Sequence, residues 1–119
     1  MARANKRKLS GSASGRAIKL TQTVSEGNLI HTAVAGTTDG TYDEIWIWAY
    51  SGHDSDILLT IEFGGVEAPD QNIITEIPHQ SGLIPIVPGL ILQNGYIVKA
   101  FAEVANVITL IGFVNSITD

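Results

Sequence analysis

The chain has 119 residues, 45% of them apolar, with no cysteine and a formal net charge of −5. A chain of that length forms one small domain with a core of its own, and the lack of thiols excludes disulfides and thiolate metal sites. Six of the seven basic residues (Arg3, Lys6, Arg7, Lys8, Arg16 and Lys19) fall in the first nineteen positions, where no acid occurs, whereas Lys99 and all twelve acids fall in the remaining hundred.

This division reads as a basic, flexible N-terminal arm, 1–19, attached to an acidic folded body, 20–119. Ser10 to Gly15 is small and polar with two glycines, which is too little surface to fold alone. The charges at the start have no apolar segment behind them, so they do not read as a secretory signal. No run of eighteen apolar residues exists to span a membrane, and the expectation is a soluble protein made in a cytoplasm. Two partners suit such an arm. Its cations could lie along nucleic-acid phosphates, or it could order in an acidic groove of a protein assembly. No aromatic residue interleaves the cations, which argues against base stacking.

The body reads as all-β. Runs rich in Val, Ile, Thr and aromatic residues predict strands near 17–24, 29–34, 42–50, 55–63, 72–77, 83–87, 90–93, 96–103 and 106–114, separated by Gly, Pro, Asn and Asp. Asn94-Gly95 signals a type I′ hairpin between the seventh and eighth of these. No segment keeps a helical period. The architecture expected is a compact antiparallel β-sandwich of jelly-roll type carrying an extended N-terminal arm.

Alternation assigns the faces. Ile57, Leu59, Ile61 and Phe63 are placed in the core and Leu58, Thr60 and Glu62 outward. In 42–50 both faces are apolar: Ile45, Ile47 and Ala49 alternate with Trp46, Trp48 and Tyr50. The same holds in 106–114. A small sandwich has one inner face per sheet, so doubly apolar strands imply a second covered surface. The simplest cover is another copy of the chain, and a homo-oligomer, a trimer, is expected. Trp46, Trp48 and Tyr50 then form an oligomer contact; exposed, they would form a stacking platform for sugar rings or bases.

Little suggests catalysis. His31, His53 and His79 lie far apart in sequence, and no strand–turn–helix elbow frames a serine. Gly52-His53-Asp54-Ser55-Asp56 lacks the spacing of a calcium loop and reads as a polar turn. Asp39, Asp43 and Glu44 could hold a weak calcium site or simply lie in a solvated loop. No enzyme activity, cofactor or metal is expected.

Leu29-Ile30-His31-Thr32-Ala33-Val34-Ala35-Gly36-Thr37-Thr38, followed by Asp43-Glu44-Ile45-Trp46-Ile47-Trp48-Ala49, resembles small virion proteins of tailed bacteriophages, particularly of marine podovirus type. Leu59 to Gly65, Ile86 to Gly95 and Ala105 to Asn115 fit the same texture. The resemblance spans about 29–115 and leaves the basic segment outside it. It implies a head decoration (cement) protein, or else a small fibre or tail component, with no enzyme activity and no functional residue to carry over. The main expectation is therefore a capsid decoration protein on the virion surface that grips the major capsid protein through Arg3, Lys6, Arg7, Lys8, Arg16 and Lys19 and stabilises the expanded head. A glycan- or receptor-binding knob is the alternative, and a nucleic-acid-binding arm on an inert body ranks below it.

Overall fold

The computed structural model describes residues 3–119, which form nine strands and no helix. They are β1 (Arg3–Lys8), β2 (Ile18–Lys19), β3 (Asn28–Thr32), β4 (Tyr42–Ser51), β5 (Ile57–Phe63), β6 (Asn72–Ile77), β7 (Ile84–Leu92), β8 (Ile97–Ala102) and β9 (Ile108–Thr118). One sheet has the order β1-β9-β4-β7, with β2 on the same side of β9 as a continuation of the place held by β1; the other has the order β3-β8-β5-β6. Every pairing is antiparallel. From β2 onward the chain changes sheet at each step except the β5–β6 hairpin. This alternation of two four-position sheets is the double Greek key of a jelly roll, and the expected sandwich is the observed fold.

The core lies between the sheets. From the first come Ile45, Ile47, Ala49, Val87, Ile108, Leu110 and Val114; from the second, Ile30, Ile57, Leu59, Ile61, Val98, Ala100 and Ala102, all buried. Alternation along β4 and β5 puts these residues on one face, and each Leu or Ile so enclosed contributes about 1.5–3 kcal/mol over an exposed position. The reading of β5 holds for Ile57, Leu59 and Ile61. Thr60 and Glu62 do face outward, yet only 6% and 1% of their surfaces are exposed; Ser25 and Gly27 close over Glu62 by donating to its carboxylate.

Three expectations need correction. The basic segment is not laid out as a free arm. Arg3–Lys8 is an edge strand in unbroken register with Thr118 to Phe113 of β9. Leu9 and Leu20 are completely buried in the core, and Ser12 is nearly so, so a boundary after residue 19 cuts through packed structure. Met1 and Ala2 lie outside the described residues. The second correction concerns 83–87 and 90–93, which form one strand, β7. Its prolines are tolerated because it ends the sheet. The third concerns Asn94-Gly95. Both residues have the positive φ expected, 62° and 67°, and Tyr96 N–H closes the turn on the Gln93 carbonyl. The turn, however, is a corner between sheets: β7 pairs with β4, and β8 pairs with β3 and β5.

Candidate functional site

Five of the six N-terminal cations come to one margin of the first sheet, because β1 and β2 both lie along the same side of β9. Arg3, Lys6, Arg7 and Lys8 are on β1, Arg16 is on the excursion 9–17 and Lys19 is on β2; each is exposed. Lys6 and Lys8 stand opposite Asn115 and Phe113 and share their outward face. The Lys6 ammonium sits 4.5 Å from the centre of the Phe113 ring, a cation–π contact. Lys8 Nζ donates to the Ser12 carbonyl at 3.0 Å. Among the described residues the ion pairs are His31–Asp43, His53–Asp54, His79–Asp56 and Lys99–Glu26, so the cations of β1 are not neutralised by the body.

A clip follows the edge strand. Ser10 N–H donates to His31 Nδ1 at 3.0 Å, Thr32 N–H donates to Ser10 Oγ at 2.7 Å, and Gly11 N–H donates to the Ile30 carbonyl at 2.9 Å. Because His31 Nδ1 accepts, the ring proton is on Nε2, which donates to Asp43 Oδ2 at 2.7 Å. Both ring nitrogens are thereby used to tie the first sheet, the second sheet and the N-terminal segment together. Asp43 points inward to this clip while Glu44 points outward, so the cluster Asp39, Asp43 and Glu44 is not assembled. Among the described residues no group of three His, Asp or Glu side chains is placed to hold a metal ion. His53 accepts from Ser55 N–H at 3.2 Å within the polar turn expected there, and His79 Nδ1 lies 2.8 Å from Asp56 Oδ1.

Beside the basic margin, the outward face of the first sheet is aromatic. Trp46, Trp48 and Phe113 have ring centres 6.0–6.3 Å apart and planes within 28° of one another. Three nearly parallel rings at the corners of such a triangle cannot form a column, since its outer members would be too far apart. They form a compact cluster on the outward face of the sheet. Trp46 lies close because Gly89 opposes it: a Cβ there would meet its ring at 2.8 Å. Tyr50 continues this face, 37% exposed, outside the ring cluster. The sequence singled out Trp46, Trp48 and Tyr50, and Lys6 as one of the cations, but did not join Phe113 or Lys6 to the aromatic group; the cross-strand register Trp46↔Phe113 that does so is a long-range property.

Glu44 fixes one rim of the cluster. It accepts from Trp46 Nε1–H at 2.9 Å and from the Asn115 amide at 3.0 Å. The Asn115 bond first, then the Trp46 bond, hold its carboxyl below the ordinary glutamate range. With the folded value depressed, the stabilising effect is present above the ordinary glutamate value and is lost as pH falls through the lower folded one. Tryptophan emission is expected to shift in acid with a midpoint below that of an ordinary glutamate, and Glu44→Gln should remove the shift. A transition that survives in the variant would assign it elsewhere.

No protein-family model, no curated protein and no solved structure matches this chain.

Proposed function

We propose that the protein is a non-enzymatic bacteriophage virion component, a capsid decoration protein that docks its basic sheet margin on the major capsid protein and stabilises the expanded head. One observation carries the reading: five exposed cations stand along a single margin of an otherwise acidic jelly roll, and the ion pairs among the described residues include none of them. Self-neutralisation would hide such a margin, whereas an acidic assembly surface complements it. Fold alone decides nothing here, because jelly rolls serve many purposes. Copies of the chain meet through the aromatic face of the first sheet as a trimer, and several basic margins per particle then raise avidity through effective concentration.

The test is co-sedimentation with DNA-free phage heads stripped of the protein, with excess free DNA as competitor. The intact chain is expected to bind, and a Lys6→Glu/Arg7→Glu variant, altered only at exposed positions, to lose most of its occupancy. Equal occupancy for the two proteins would remove the margin from the capsid contact, and binding erased by DNA would favour the nucleic-acid reading.

The ring cluster supports a second reading. Half-buried, nearly parallel rings clustered beside Lys6 and Glu44 suit stacking against the apolar face of a sugar, with polar groups at the rim. Sedimentation of the chain alone separates the two uses of this face. A species at three times the 12.7 kDa chain mass that dissociates in Trp48→Ala supports the trimer. A monomer whose tryptophan emission changes with an oligosaccharide, and stops changing in Trp48→Ala, supports the glycan-binding knob.

A further inference from the structure

A sheet with ends has unpaired N–H and C=O groups along them, and natural proteins cover or break such edges unless they are used. The sandwich has four. At β7, Pro85 and Pro88 lack N–H donors, Gly89 has φ 77°, and the register against β4 shifts twice. At β3, a bulge lies between Leu29 and His31, and Ser10 and Gly11 take up Thr32 N–H and the Ile30 carbonyl. The β6 edge is bracketed by Pro69 and Pro78 and carries Glu76 as its one charge. The β1 edge differs from all three. Its six residues run in unbroken register against β9, contain no proline, glycine or bulge, and carry four exposed cations.

We infer that the free edge of β1 is a site of strand addition, and that its occupant is an extended acidic segment of a partner protein, which joins the first sheet beside Arg3–Lys8. Main-chain hydrogen bonds supply the attachment and alternate side chains the selectivity, as in other strand-addition complexes. Charge fixes the occupant. A second β1 is refused because its cations would stand against these four, and like charges directly opposite destabilise a strand pair. An alternating acidic strand carries its carboxylates on one face, where they meet Lys6 and Lys8 on the side of Phe113. Nucleic acid would meet the same cations but use none of the edge amides. This inference deepens the reading of the basic margin as a docking surface and rests on it, yet its test needs no capsid, so the two can fail separately.

The experiment uses the full chain and an eight-residue peptide of alternating Thr and Glu, followed by amide hydrogen exchange and binding titration. Slowed exchange of amides within Arg3–Lys8, and affinity weaker by on the order of tenfold for Lys6→Glu/Arg7→Glu, are expected. Two further peptides are N-methylated at either the odd or the even positions. A strand added to an edge uses one set of its amides, so one of these must lose binding and the other keep it. Equal binding of both would show charge attraction without strand addition and overturn the proposal. So would unchanged exchange along β1, equal protection by a DNA duplex in place of peptide, or protection that grows with protein concentration alone, which would make a second copy the occupant.

Discussion

Replacing Leu9 with Ala is expected to lower the unfolding free energy by about 2–5 kcal/mol, although this residue directly follows a run of exposed cations. Its side chain is completely buried in the cluster that contains Leu20, Ile30 and Leu110. A truncated side chain there loses its transfer free energy and leaves a cavity, because both sheets already pack around it. Such a loss is large against the 5–15 kcal/mol of a typical domain. Removing residues 1–8 instead takes away a strand whose described side chains are all exposed; the core keeps its contents and should stay folded. Urea unfolding followed by tryptophan emission compares the two. A Leu9→Ala variant as stable as the parent would return 9–12 to the status of a solvated tail. The comparison also decides how arm-dependent binding is tested: removing 1–19 deletes a core residue, so any lost binding would be confounded with unfolding, whereas removing 1–8 does not.

The placement of this segment shows where sequence patterning stops. Strands β4, β5 and β8 were legible because β-branched and aromatic residues alternate with a buried set, and turn residues bound them. β1 has no such set. Arg-Ala-Asn-Lys-Arg-Lys pairs through its backbone with β9 and buries no side chain, so composition alone reports a disordered tail. Asn94-Gly95 shows a different limit: local chemistry set the dihedral angles, but nothing local says whether the flanking strands pair with each other or diverge into two sheets. β4 shows a third. Either of its faces could have been the inner one; the structure puts Ile45, Ile47 and Ala49 inside and leaves Trp46 and Trp48 half-buried on the outside beside Phe113. The candidate surface was legible as charge and as aromatic content, and not as a place, because the register of β1 and β4 on β9 creates the contiguity.

Glu62→Ala is the other substitution expected to cost much, about 2–5 kcal/mol. Glu62 stands on the outward face of β5, where a carboxylate would ordinarily be solvated, yet it is 1% exposed. Ser25 Oγ–H donates to one carboxylate oxygen at 2.5 Å and Gly27 N–H to the other at 2.7 Å. Lys99, beside it on β8, is paired with Glu26 of the same loop. Glu62 thus pins 25–27 to the sheet and forms one wall of a cleft of about 240 Å³ that Tyr96 and Gly64 help to line. Alanine leaves the Gly27 amide and the Ser25 hydroxyl without their acceptor and opens a void beneath the loop. Glu62→Gln keeps an amide oxygen for Gly27 N–H, and the Ser25 hydroxyl can rotate to accept from the amide nitrogen, so the cost should be smaller. Chemical denaturation gives the two magnitudes, and amide exchange at Gly27 shows whether the loop detaches. An alanine variant that loses less than the glutamine variant would contradict this account, since it would mean that the bonds kept by the amide contribute less than its burial costs.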